Sequence, residues 1–118
     1  IAVIADIRKK HSSHAMTADL TIADWSHGAE FMGADGVIVT GDATGRATDL
    51  GEAAAAADAC SIPVFVGSGV TADTVRSTLD TAHGAIVGSS IKINGDWREP
   101  VDAARASAIV KCRTEAPG

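Results

Sequence analysis

The chain has no tyrosine, two phenylalanines and two tryptophans, so aromatic residues make up only 3% of its 118 positions. Proteins that grip single-stranded or looped nucleic acid stack the bases on aromatic side chains, and this composition argues against that trade. Positive charge is also short. Ten Lys and Arg against fifteen Asp and Glu give a formal net charge of −5, which disfavours nucleic acid and anionic membrane as partners. There are only two cysteines, Cys60 and Cys112, each near the end of an expected helix; both are expected to be free, reduced thiols. No apolar run approaches the ~20 residues that span a bilayer. The first residues read as a strand, with no basic n-region or cleavage site, so the expected location is the cytoplasm. The chain opens on Ile1 without an initiator Met, and the natural polypeptide is expected to begin further upstream.

What is present is a repeating unit. Apolar, β-type runs occupy about 1 to 7, 35 to 40, 62 to 66 and 84 to 88, and each is followed by a polar loop and then a helical pattern. Ala18, Ile22, Trp25, Ala29 and Met32 predict one buried helical face, closed by Gly33. Asp49 and Glu52 stand at capping-box spacing before an alanine-rich helix to about Cys60. Thr71 is the expected N-cap of a third helix with Ala72, Val75, Leu79 and Ala82 along one side, and a fourth runs from about Asp102 to Arg113. Asn94-Gly95 marks a turn, Trp97 is expected to pack, and His27 and His83 to lie at the surface.

Strict alternation of strand and helix implies parallel strands with right-handed crossovers, hence an α/β protein. Runs that are apolar throughout fit strands buried on both faces. Four units are half of a (β/α)8 barrel, and a four-stranded parallel sheet standing alone would leave both edges open. The expectation is a single domain over 1–118, or the C-terminal half of a TIM barrel, completed by missing residues or by a second copy in a homo-oligomer. A doubly wound sheet would carry G-x-G-x-x-G after its first strand, where this chain has Arg8-Lys9-Lys10-His11-Ser12-Ser13-His14.

The strongest functional signal is paired. Val66-Gly67-Ser68-Gly69-Val70-Thr71 and Val87-Gly88-Ser89-Ser90-Ile91-Lys92 each end an apolar run in glycine and serine, which bares backbone N–H groups beyond neighbouring strands. Such amide-lined ends suit a phosphate, and barrels commonly bind phosphate after their last two strands. Gly67, Ser68, Gly69, Gly88, Ser89, Ser90 and Lys92 are therefore candidate phosphate ligands, and Arg98 flanks the last loop. Thr40, Gly41, Thr44 and Thr48 suit a polar ligand after the second strand, although Thr-Gly turns are also common connectors. Neither Ser68 nor Ser89 sits in G-x-S-x-G, so hydrogen bonding to phosphate is preferred to nucleophilic attack. Arg8, Lys9, Lys10, Arg46, Lys92 and Arg98 all follow strands, which predicts a locally positive end.

Barrel catalysts come from strand C-termini. Asp6 and Asp42 are placed there for acid and base work, Asp42 equally as a turn residue. Lys10 can bind phosphate, polarise a carbonyl or form a Schiff base, and its alternative is a solvated loop lysine. His11, with an intrinsic pKa near ~6.5, is a candidate general base or a loop histidine bonded to backbone. His11 and His14 lack an evident third partner, so no metal is expected.

Lys10-His11, Gly33-Ala34-Asp35-Gly36-Val37-Ile38-Val39-Thr40-Gly41 with Ala43-Thr44-Gly45 and Thr48-Asp49, Pro63-Val64, Val66 to Thr71 and Gly84 to Lys92 together resemble the BtpA family through nearly the whole chain. The resemblance is to the C-terminal half of that family, read as TIM barrels of the ribulose-phosphate-binding type, so these residues would form strands five to eight. It implies a binder of a sugar phosphate, ribosyl or nucleoside-type compound, acting as an isomerase, lyase or nucleosidase. The family's name implies instead a non-catalytic biogenesis factor for a membrane complex such as photosystem I. FMN, held by the same kind of phosphate site in many barrels, is a further alternative, although no residue specifically asks for a flavin ring and no cofactor is otherwise expected.

Overall fold

A computed structural model describes residues 1–7, 19–41 and 48–114. Among them strand and helix alternate: β1 (Ile4–Asp6), α1 (Ile22–Phe31), β2 (Gly36–Val39), α2 (Leu50–Ala59), β3 (Val64–Val66), α3 (Val75–Thr81), β4 (Gly84–Ala85) and α4 (Ala103–Cys112). Two 3-10 turns, Ser89–Ile91 and Ile93–Gly95, separate β4 from α4. The four strands form one sheet in the order β1-β2-β3-β4, all parallel. A doubly wound sheet reverses its strand order at a switch point. Strictly sequential order is that of a barrel wall, and the molecule is half of one.

The ladders are shorter than the apolar runs, because pairing stops where the chain must turn. After Ala85 one further bond, Ile86 N–H to the Val66 carbonyl at 2.8 Å, precedes the turn at Ser89. Before β1, Val3 exchanges bonds with Asp35 instead: the Asp35 amide donates to the Val3 carbonyl at 2.8 Å and the Asp35 carboxylate accepts the Val3 amide at 2.7 Å.

The two faces of the sheet differ. Val37, Val39, Val64 and Val66 point at the helices and are fully buried, each contributing about 1.5–3 kcal/mol. Ile7, Ile22 and Ala56 complete one core with Trp25 and Ala29 packed against it, while Ala53, Val70, Val75, Ala82 and Ile109 build a second around Val66. Small residues on α2 let it lie close on the sheet. The residues between the valines, Ile38 and Phe65, are only half-buried, and Ile4 and Ile86 are exposed. Burial on both faces was expected from the continuous apolar runs; only the helix side has it, because the other face is that of a barrel interior and no opposite wall stands before it among the described residues. Phe65 lies flat on this face over two glycines. A Cβ at Gly84 would sit 2.7 Å from its ring, and one at Gly36 would sit 3.2 Å away.

Local chemistry sets the helix starts. Thr21 and Asp24 form a reciprocal capping box on α1, and Met32, expected on its buried face, is exposed past the helix end. Ser26 is buried there and donates to the Ile22 carbonyl at 2.8 Å. Asp49 caps α2 by accepting the Gly51 amide at 2.8 Å, and Asp102 caps α4 through the amides of Ala104 and Arg105. The start of α3 differs from expectation: Thr71 opens a turn instead, its amide donating to Thr74 Oγ1 at 2.9 Å, and the helix begins at Val75. Asn94 and Gly95 take the left-handed backbone expected of their turn, with φ of 56° and 70°. Trp97 is exposed rather than packed, between Asp96 and Arg98, whose side chains pair with each other. His83 is exposed, yet its Nδ1 accepts the Val64 amide at 3.1 Å. Both cysteines are free thiols, and burial holds the Cys60 thiol above its usual pKa. No helix among the described residues is long and apolar enough to cross a membrane.

Candidate functional site

Three loops meet at the C-terminal end of β3. The loop after β3 is tied to the start of α2 by Thr48, whose buried hydroxyl donates to the Ser68 carbonyl at 3.2 Å. It is tied to the loop after β4 by Ser90, whose Oγ donates to the Val70 carbonyl at 2.6 Å. The two glycine-serine segments therefore form one structure rather than two separate turns.

Within it the amides divide into two kinds. The Gly67 N–H extends the ladder to the Val39 carbonyl at 2.9 Å, and the Lys92 N–H closes a turn on the Ser89 carbonyl at 3.0 Å. The amides of Ser68, Gly69 and Val70, and of Gly88, Ser89 and Ser90, donate to no group among the described residues. Gly67 serves close approach instead: a Cβ there would sit 2.7 Å from Ile38 Cγ2 and 2.9 Å from Thr40 Cγ2. Gly69 has φ of 70°, which a side chain would strain. Behind the loop is a cavity of about 220 Å3, lined by the hydroxyl-bearing residues Thr48, Ser68, Thr74, Ser77 and Thr78, together with Leu50, Val66, Gly69 and Val70. Ser77 and Thr78 hydroxyls both donate to the Thr74 carbonyl, at 3.0 and 2.9 Å.

Thr40 and buried Gly41 follow β2 directly, beside Gly67. Asp6 ends β1 at the outer edge of the sheet, apart from the loops after β3 and β4. Lys10, His11, Asp42 and Thr44 lie outside the described residues, as do Arg8, Lys9, Arg46 and His14. Arg98 is engaged elsewhere: its guanidinium makes a two-pronged pair with Asp96 at 3.0 and 2.7 Å, which holds the Asp96 carboxyl below its usual range. Among the described residues no three His, Cys, Asp or Glu side chains are grouped to hold a metal.

A cation missing from the sequence-derived set reaches the loop after β4. Arg105, on the first turn of α4, donates to the Ser90 carbonyl at 3.3 Å, with its Nε 4.0 Å from Asp102. The sequence did hold a signal, because a basic residue in a helix's first turn opposes the helix dipole and so asks for another partner. The arrangement sets six backbone donors on two loops joined by Ser90, beside a hollow whose Thr48, Ser77 and Thr78 hydroxyls are bonded to backbone carbonyls, with Arg105 held at the Ser90 carbonyl.

The sequence model of the BtpA family matches residues 1–115. The chain is 44% identical to an uncharacterized mitochondrial protein of Caenorhabditis elegans, over 94% of this chain and 40% of that protein. It is 36% identical to the photosystem I biogenesis protein BtpA of Synechocystis, over 98% of this chain and 40% of that one. The chain thus spans about two fifths of the length of the curated relatives it matches. Among solved structures it is similar to N-(5'-phosphoribosyl)anthranilate isomerase from Pyrococcus furiosus, with a TM-score of 0.60 and 20% identity, over 96% of this chain and 50% of the isomerase.

Proposed function

The chain belongs to the BtpA family, and from that premise we propose that it grips the phosphate of a small molecule of sugar-phosphate, ribosyl or nucleoside type. The observation that carries this is the set of six undirected amides at Ser68–Val70 and Gly88–Ser90, held together by the Ser90 to Val70 bond. Backbone donors gathered at strand ends favour an anion over a cation. The likeness in fold to an isomerase whose printed substrate carries a 5'-phosphate supports the same class. Chemistry on the bound compound, of isomerase, lyase or nucleosidase type, would fall to Asp6 and to Lys10, His11 and Asp42 in the loops after β1 and β2. The name of the cyanobacterial relative favours a second reading, in which the same site serves a biogenesis factor without catalysis.

Thermal-shift titration distinguishes ligand from no ligand, since a molecule bound only by the native state raises Tm. Ribose 5-phosphate and inorganic phosphate should raise Tm and ribose should not. Ser68→Asp, which sets a carboxylate among the amides, should abolish the increment. If no phosphorylated compound shifts Tm, or the variant responds like the parent, the proposal fails.

A further inference from the structure

The three serines of the glycine-serine loops are not alike. The hydroxyls of Ser68 and Ser89 bond to no group among the described residues, whereas that of Ser90 is committed. A carbonyl oxygen only accepts, so in the 2.6 Å contact with the Val70 carbonyl the proton comes from Ser90. The bond is half-buried and joins residues twenty apart in sequence. Ser90 is held from its other side as well, since its own carbonyl accepts Arg105 Nη1 at 3.3 Å from the first turn of α4. The tie continues beyond Val70. The N–H of the same peptide unit, that of Thr71, donates to Thr74 Oγ1 at 2.9 Å, and the Thr74 carbonyl accepts the hydroxyls of Ser77 and Thr78 on α3. One serine therefore links backbone anchored on α3 to backbone anchored on α4. The ladder bond from Ile86 N–H to the Val66 carbonyl lies four residues earlier on each arm. Past it, the Ser90 hydroxyl makes the hydrogen bond that joins the two arms among the described residues.

We infer that Ser90 is the positioning residue of the phosphate site: its hydroxyl, rather than contacting the ligand, holds the Ser68–Val70 and Gly88–Ser90 amides at one fixed span, so that both sets reach a single phosphate group. This rests on the phosphate site proposed above and divides the work among its serines. Two arms of three amides each bind weakly while the distance between them fluctuates, because a ligand on one arm then meets the other only part of the time. Joined, the second arm faces a ligand already on the first at high effective concentration. Ser68 and Ser89, whose hydroxyl protons are uncommitted, are left to donate to the phosphate itself. Alanine at position 90 keeps every amide and removes only the tie, leaving the carbonyl of buried Val70 without its partner.

Ribose 5-phosphate titrated into the 15N-labelled chain should move the amide resonances of Ser68–Val70 and Gly88–Ser90 along one common binding curve. Ser90 is half-buried on a loop, so Ser90→Ala should keep the parent's circular dichroism. In that variant the curve should move to at least about tenfold higher ligand. At saturation the two arms should no longer shift in the parent's ratio. Ser90→Thr, which retains the hydroxyl, should restore both the curve and the ratio. A serine that merely supports the fold would lower the ligand-free Tm and leave the curve in place, and one that touches the phosphate would weaken the curve with the ratio unchanged. Either result overturns the inference, as does a parent whose arms follow different curves or a Ser90→Thr chain that behaves like Ser90→Ala. A parent in which neither arm responds removes the phosphate site and this role together, whereas a responding parent with an unaltered Ser90→Ala variant removes the role alone.

Discussion

One side of the four-stranded sheet is finished and the other is not. Towards the helices, Val37, Val39, Val64 and Val66 are sealed beneath small residues of α2 and the apolar stripe of α1. Towards the barrel axis, Ile38 and Phe65 are half-covered and Ile4 and Ile86 stand in the open. Both faces carry the same residue types. Composition therefore says that a surface is meant to be buried, and only topology says whether this chain does the burying.

That contrast is sharpest in mutations. Ala56→Leu, which forces extra methylenes between α2 and the sheet at a fully buried position, should cost about 3 kcal/mol in denaturant unfolding. Ile86→Leu on the open face should lie within about 0.5 kcal/mol of the parent. Equal costs would break the distinction between the faces. Next in size come two glycines with the same nominal clash. Gly67→Ala meets both Ile38 and Thr40 and should cost about 1–3 kcal/mol, whereas Gly84→Ala meets only the Phe65 ring, which has open space to move into, and should cost under about 1 kcal/mol.

Smaller effects lie at the termini of helices. Asp102→Ala removes acceptors from two amides of α4 and should cost about 1 kcal/mol, with Asp102→Asn restoring most of it. The smallest is a pH response. Bonds from Thr21 hold the Asp24 carboxyl below its usual pKa of 3.8, and the Arg98 guanidinium holds Asp96 below the same value. Asp24 is exposed and Asp96 partly exposed, so solvent screens both. A depressed carboxylate stabilises the fold above its unfolded pKa and loses that contribution as pH falls through its folded one. Tm should therefore drop modestly below pH ~4, and by less in Asp24→Asn and Asp96→Asn variants; a drop unchanged in both would place its origin elsewhere.

Much of this was legible in the sequence because the local signals agreed. Apolar runs set against polar loops gave the strand order and the half-barrel, and Asp49, Asp102 and Asn94-Gly95 behaved as their side-chain chemistry requires. The apolar periodicity of the first helix, counted from Ala18, masks its start: Thr21 caps it four residues before Trp25, and only the Thr21–Asp24 spacing signals the box. A Thr before an alanine fits an N-cap and a turn equally well, and at Thr71 the Thr74 hydroxyl, by accepting its amide, selects the turn. In the site, the ladder claims the Gly67 amide that its glycine-serine setting offers to a ligand, and the contact of Arg105 with Ser90 spans fifteen residues. Long-range pairing of that kind leaves no periodic trace.

The bonds behind the two glycine-serine loops also fix a polarity. A peptide's carbonyl and the following N–H point opposite ways in one plane, so anchoring the first aims the second. The Ser68 carbonyl is held by Thr48, the Gly88 carbonyl by the Ile91 amide and the Ser89 carbonyl by the Lys92 amide. These aim the amides of Gly69, Ser89 and Ser90. Were those peptides free to rotate, the same loops would offer oxygen to a cation as readily as hydrogen to an anion. On the proposed reading, three locked planes mean that binding an anion need not supply the entropy of orienting those peptides.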